Sequence, residues 1–271
     1  VSIEDGGHQA EVRETRQNGA VPIADKEARA RSFGAVADRY QRGRAGYTAA
    51  TIEWLLGPEP LEVLDLGAGT GKLTAALLAA GHSVTALEPL AEMRAILTAT
   101  LPAANAIDGR AEDLPLADRS VDAVVAGSAF HWFDREPALD EIARVLRPPS
   151  VFGLLGNRFD TSVDWQRRVR GISGGGIYRA GHWPTQPDLR DRFAEVDDAP
   201  DFPQSIEVDR ATLKDYLASL SQVATMDEAE RAEYLSGVDE IWDSEPDLAG
   251  HERTTLRWRT TVRRSRGLLP R

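Results

Sequence analysis

Val63-Leu64-Asp65-Leu66-Gly67-Ala68-Gly69-Thr70-Gly71 is an apolar strand that runs into three glycines at every second position, and Lys72 to Ala80 follows as a helical pattern. A strand, a Gly-rich turn and a helix N-terminus let backbone come close to a bound nucleoside, because glycine has no side chain and tolerates positive φ. The next apolar strand, Ser83 to Leu87, ends in Glu88, a spacing that suits a carboxylate gripping two ribose hydroxyls. Competing readings of the glycines are weaker. A dinucleotide-binding turn wants G-x-G-x-x-G, yet the third glycine falls one residue early and Lys72 stands in its place. A phosphate-gripping loop wants G-x-x-x-x-G-K-[ST], but Leu66 replaces its first glycine and Leu73 its hydroxyl. A tight strand-to-helix turn without a ligand remains open on the glycines alone.

Order along the chain narrows the choice. After Glu88 come Pro89 and a helix with Met93, Ile96 and Leu97 on one face, then Asp108-Gly109-Arg110-Ala111-Glu112-Asp113-Leu114-Pro115. A strand at Val121 to Ala126 leads into Gly127-Ser128-Ala129-Phe130-His131-Trp132-Phe133, and the helix Glu136 to Leu146 ends in Arg147-Pro148-Pro149. This succession resembles the class I S-adenosylmethionine-dependent methyltransferases with the type 11 methyltransferase domain, specifically over residues 33 to 160 and more loosely to the C-terminus. The ending Ala129-Phe130-His131-Trp132-Phe133 is similar to trans-aconitate-type small-molecule methyltransferases. The resemblance implies an α/β protein with a doubly wound, Rossmann-like sheet of seven strands and a helical lid.

Composition bounds what such a chain can do. Its 271 residues suffice for a large core, and 42% hydrophobic and 7% aromatic residues are those of a globular protein. No apolar run reaches the ~20 residues of a membrane span, and the first residues lack a basic segment followed by an apolar one, so no membrane partner and a cytoplasmic location are expected. Without cysteine there is no disulfide and no thiolate metal site. A net charge of −11 opposes binding to a phosphate backbone, so nucleic acid is not an expected partner. The basic cluster Arg253, Arg257, Arg259, Arg263, Arg264 and Arg266 lies on an alternating segment with Leu256, Trp258, Thr260 and Val262 on its other face. It reads as a strand whose arginines pair with acidic helices over the sheet.

Residues 1–26 are polar and without apolar periodicity, which reads as a mobile tail. Residues 27–208 read as the core with N-terminal cap helices: Phe33, Val36, Ala37 and Tyr40 at helical spacing, then a helix near Thr51 to Leu56. Strands near 62–66, 83–87, 104–107, 121–126 and 151–155 alternate with helices near 71–80, 90–100 and 136–146, the pattern of a parallel sheet with right-handed crossovers. A Trp165-containing amphipathic segment, a Gly-rich stretch at Gly171 to Gly176 and a strand at Phe202 to Val208 follow. By resemblance, residues 209–250 form the lid and 251–271 the final antiparallel strand and tail. Aromatic residues on such a lid would equally suit a homodimer contact.

The resemblance also assigns roles. Gly67, Ala68, Gly69 and Thr70 would pass beneath the methionine and ribose portions of S-adenosylmethionine, with Asp65 near its ammonium, though Asp65 could simply order the turn. Glu88 would accept from the ribose, next to Pro89, and Met93 would pack on the adenine face or serve the core. Relatives often carry an acid where this chain has Arg110; arginine accepts no hydrogen bond, so the adenine-edge contact passes to Ala111 and Glu112 or Asp113. Ser128 follows the fourth strand. His131 and Tyr40 are the candidate catalytic residues, His131 as a base for a hydroxyl or amine acceptor. Tyr40, Arg42, Arg44 and Tyr47 would fold over the methionine end, where an arginine could hold a carboxylate. No metal is expected, since His8, His82, His131, His182 and His251 are scattered. The expected reaction is methyl transfer to a carboxylate or hydroxyl oxygen of a small molecule; the rival reading is a regulator or partner subunit that binds the cofactor without catalysis.

Overall fold

The computed structural model describes residues 44–172, 188–224 and 226–269. Five strands run parallel: β1 (Glu62–Leu66), β2 (Ser83–Leu87), β3 (Asn105–Ile107), β4 (Val121–Gly127) and β5 (Leu146–Phe159), in the spatial order β3-β2-β1-β4-β5. The order reverses between β1 and β4, which opens a crevice at the carboxyl ends of the strands, where ligands of doubly wound sheets bind.

Four helices cover the two faces: α1 (Ala49–Leu56), α2 (Lys72–Ala79), α3 (Ala91–Thr100) and α4 (Arg135–Val145). Period-two alternation divides each central strand between them. Leu64, Leu66, Val124 and Ala126 pack with Ala138, Leu139 and Ile142 of α4. Val63, Ala123 and Val125 pack with Ile52 and Leu55 of α1 and with Leu73 and Leu77 of α2. Both faces are covered, so β1 and β4 read as almost unbroken apolar runs.

The last strand, β8 (Arg253–Leu268), runs antiparallel to β5 from Val151↔Arg266 to Phe159↔Trp258. On its other edge two strands lie end to end: β6 (Phe193–Asp198) opposite residues 263–268, and β7 (Phe202–Asp209) opposite residues 253–260. Among the described residues the sheet therefore has eight strands in seven positions. Strand β6 is absent from the sequence reading because its Phe193-Ala194-Glu195-Val196-Asp197-Asp198 run shows no clean alternation of buried and exposed residues.

The arginines of β8 correct an expectation. Among the described residues, the carboxylates that Arg259, Arg263, Arg264 and Arg266 meet belong to neighbouring strands and turns, not to helices over the sheet; Arg264 also donates to the Trp54 carbonyl of α1 at 2.6 Å. Arg263 meets Asp198 at 2.6 Å, Arg264 meets Asp197 at 3.5 Å, and Arg266 meets Glu195 and Asp197 at 3.1 Å. Arg259 meets Asp160 at 3.2 Å. Cross-strand pairing at a sheet edge brings opposite charges closer than a helix layer above it would.

Beyond Trp258 the β7–β8 ribbon continues past the end of β5 and carries a second helical layer: α5 (Asp164–Ile172), α6 (Arg210–Ala218), α7 (Ser221–Ala224) and α8 (Glu228–Ser244). This layer has its own core, with Trp165 and Val169 from α5, Leu213, Tyr216 and Leu217 from α6, Val238, Ile241 and Trp242 from α8, and Phe159, Leu256 and Trp258 from the sheet. It thus begins with α5, ahead of residue 209. The α8 N-terminus is closed by a reciprocal capping box between Asp227 and Glu230. Among the described residues no helix is long and apolar enough to cross a membrane.

Candidate functional site

The β1–α2 turn makes the floor. Gly67, Gly69 and Gly71 have φ of +66°, +59° and +90°, a region that side-chain-bearing residues rarely enter. Space demands glycine as well: a Cβ on Gly67 would lie 2.7 Å from the Ala129 Cβ, and one on Gly71 2.6 Å from Leu101 Cδ1. The amides of Gly67 and Ala68 donate to the Leu87 carbonyl at 2.9 and 3.1 Å, pinning the turn to the end of β2. Ala68 and Thr70 are buried.

Two carboxylates close this floor. Glu88 accepts from the Gly69 amide through Oε2 and from the Leu90 amide through Oε1, both at 2.8 Å, so its plane is fixed while each oxygen keeps acceptor capacity. Burial raises its pKa, opposed by those two amides and by Arg94. Arg94 donates to the Glu88 carbonyl at 2.6 Å and to Asp108 at 3.2 Å, joining α3, β2 and the loop after β3.

Asp65 is fully buried at the end of β1. Its Oδ2 accepts from the Thr74 hydroxyl at 2.7 Å, and among the described residues its buried Oδ1 has no hydrogen-bond partner. Desolvation pushes its pKa up to about 7; the Thr74 hydroxyl opposes the shift and the Glu88 charge adds to it. An unsatisfied oxygen in such a place is costly without a donor from outside the chain.

Pro89 is exposed, whereas Met93 is 4% exposed and packed inward. In the loop after β3, Ala111 is buried, Arg110 is exposed with Nε 3.5 Å from Glu112, and Glu112 Oε1 accepts from the Asp134 amide at 2.7 Å. Glu112 therefore ties this loop to the loop after β4. A second tie escaped the sequence reading: Glu141 accepts from the Leu114 amide at 2.7 Å, and Arg144 donates to the carbonyls of Leu114 and Leu116. Its only sequence signal is an acid and an arginine three residues apart on α4.

The β4 end is bent. Ser128 takes φ of +56°, unusual for a residue with a side chain, and its amide donates to the Leu155 carbonyl at 2.8 Å. A Cβ on Gly127 would lie 2.8 Å from the Tyr47 hydroxyl. In the short 3₁₀ turn Phe130–Trp132, Phe130 packs against Phe133 and Phe152, which leaves His131 exposed beside Trp132, ring centroids 4.7 Å apart.

Arg44 lies over the Tyr216 ring, 5.3 Å from its centroid, and so meets the second helical layer. The next carbonyls are clamped: Asn157 Nδ2 donates to Ala45 and Gly46 at 3.2 and 2.8 Å, and Gln204 donates to Gly46 at 3.0 Å. Arg158 pairs with Asp201. Asn157 and Arg158 are thus engaged within the fold. Tyr40, Arg42 and His182 lie outside the described residues. Among the described residues no group of three or more acidic or histidine side chains could hold a metal ion.

Residues 64–153 match the type 11 family described as a methyltransferase domain. Over 143 residues the chain is 47% identical to an uncharacterized methyltransferase of Mycobacterium tuberculosis, a match covering 53% of this chain and 59% of that one. Over 152 residues it is 38% identical to a malonyl-(acyl-carrier protein) O-methyltransferase of Pectobacterium atrosepticum, covering 53% of this chain and 60% of that one. The chain thus spans somewhat more than half the length of these relatives. A solved structure from Anaeromyxobacter dehalogenans, a candidate type II methyltransferase, shares the fold with a TM-score of 0.61 at 22% identity, covering 82% of this chain and 97% of that one. A Haemonchus contortus phosphoethanolamine N-methyltransferase solved with S-adenosylhomocysteine does so with a TM-score of 0.53 at 12% identity, covering 92% of this chain and 61% of that one.

Proposed function

We propose, from the match of residues 64–153 to the type 11 methyltransferase domain, that this chain transfers a methyl group from S-adenosylmethionine to an oxygen, carboxylate or hydroxyl, of a small molecule. The observation that carries the cofactor reading is the pair of buried carboxylates at the crevice: Asp65 with an oxygen that no donor among the described residues meets, and Glu88 fixed by two amides with acceptor capacity left over. Such a pair fits a ligand bearing both a cationic amine and a diol. Asp65 would take the ammonium, Glu88 the ribose hydroxyls, and the Ala111 segment and Met93 the adenine.

The cofactor, when bound, supplies a methyl group already activated as a sulfonium. What remains for the chain is alignment and exclusion of water. Orientation alone can lower a barrier by about 7–11 kcal/mol. The rigid turn at Gly67 to Gly71, the bent Ser128 and the braced loop at residues 108–115 serve that purpose. His131, exposed at the carboxyl edge of β4, would accept the acceptor's proton. Support for an oxygen acceptor comes from the likeness to the O-methyltransferase relative, and support for a small molecule from the net charge of −11, which opposes nucleic acid.

The test is transfer of isotopically labelled methyl from S-adenosylmethionine to a panel of hydroxy acids, dicarboxylates, amines and thiols. Label on oxygen compounds, base-labile where a methyl ester forms on a carboxylate and base-stable where a methyl ether forms on a hydroxyl, supports the reading. Label confined to amines or thiols would refute oxygen transfer. Tight cofactor binding with no turnover on any class would favour a non-catalytic binder.

A further inference from the structure

Thr74 is the closest partner of Asp65, and none of the sequence motifs singled it out. It is the third residue of α2, and like Asp65 it is fully buried. Gly71, which precedes the helix in a left-handed conformation, has no side chain to cap it, so Asp65 and Thr74 meet across the start of α2. A hydroxyl has one proton to give, and this one goes to Oδ2 at 2.7 Å. That bond fixes the plane of the carboxyl group and leaves Oδ1 as the oxygen without a donor.

We propose that Thr74 is a positioning residue that turns Asp65 into a proton-linked receptor for the cofactor's amino group: its hydroxyl holds Oδ2 so that Oδ1 alone meets the incoming cation. The proposal rests on the S-adenosylmethionine reading above. The charged surroundings favour proton exchange on binding. From β2 the group acting on Asp65 is Glu88, itself an acid, whose own neighbours are Arg94 and Asp108. From α2, Lys72 is shifted by burial alone. Among the described residues no cation therefore figures in the groups that set the Asp65 titration. The empty site keeps a proton on Asp65 up to about pH 7. An arriving ammonium replaces it: the carboxyl O–H gives its proton to solvent, and the resulting carboxylate pairs with the ammonium, which keeps all three of its protons. One proton leaves per cofactor bound, with no change of oxidation state.

Calorimetric titration of the full chain with S-adenosylhomocysteine between pH 5.5 and 8.5 tests this, in wild type, Thr74→Val and Thr74→Ser. The wild type should bind about tenfold more tightly per pH unit until the Asp65 midpoint, then level off. Thr74→Val, which keeps the shape and loses the hydroxyl, should move that bend upward and weaken binding at pH 7 by about tenfold. Thr74→Ser should restore the wild-type profile. A Thr74→Val profile identical to wild type, or equal pH-independent weakening in both variants, would overturn the proposal. If the wild type binds no S-adenosylhomocysteine at any pH, the cofactor reading fails instead. The Asp65 midpoint of the ligand-free chain, followed by carbon-13 carboxyl NMR, then decides the role of Thr74: raised in Thr74→Val it stands, unchanged it falls.

Discussion

Asp65 carries an energetic cost in the empty protein, and its titration gives the sign. The carboxyl has a pKa of about 7 when folded against an ordinary 3.8, so between these values the folded chain keeps a proton that the unfolded chain has lost. Stability contributed by this group is therefore full below about pH 4 and falls as pH rises to about 7, by about 1.4 kcal/mol per unit. Asp65→Asn, which cannot ionise, should raise the stability of the ligand-free protein by at least about 1 kcal/mol at pH 8 and change it little at pH 4. Urea denaturation at the two pH values checks this; equal effects at both would show that Asp65 is not protonated in the native state. Neither Thr74 nor the unpartnered oxygen was legible in the sequence, because a threonine nine residues away on a helix looks like any core position until strand and helix are docked.

At the scale of elements, glycine positions separate into those the packing needs and those it does not. Gly67→Ala puts a Cβ 2.7 Å from Ala129 at positive φ and should destabilise by about 2 kcal/mol or more. Gly46→Ala, with nothing within 4 Å of the added carbon, should stay within about 0.5 kcal/mol. Thermal unfolding of both variants reads the contrast, and a similar small loss in each would mean that the β1–α2 turn can yield to a side chain at Gly67. The clamp on the segment before α1 gives a second case. Asn157→Ala removes the donor to Ala45 and Gly46 and the acceptor for Thr260, and should cost about 1–3 kcal/mol by chemical denaturation. A loss under 0.5 kcal/mol would show that these carbonyls find other donors. The parallel strands and α1 to α4 were legible, because a sheet covered on both faces leaves continuous apolar runs separated by helical periods. Strand β6 was not, because an edge strand that feeds carboxylates to β8 has no second apolar face to reveal it.

Across the whole molecule, the sheet's seven positions divide the labour. The five parallel strands present the glycine turn, Asp65, Glu88 and Ser128 at one edge, and the antiparallel β7–β8 ribbon carries a separately cored helical layer beyond that edge. Glycine spacing and the acid ending the second strand let the sequence indicate the first half. That α5 joins the second layer, and that the β8 arginines are absorbed by neighbouring strands, depend on long-range pairing that local pattern does not encode. The central claim is that the two buried carboxylates receive S-adenosylmethionine. Calorimetric titration of wild type and Glu88→Gln with S-adenosylmethionine, S-adenosylhomocysteine and NADH tests it most directly. The first two should bind in the micromolar range, at least about tenfold more weakly to the variant while its fold is kept, and NADH should not bind. Binding of NADH alone, or of S-adenosylmethionine and S-adenosylhomocysteine equally well to both proteins, would contradict the claim.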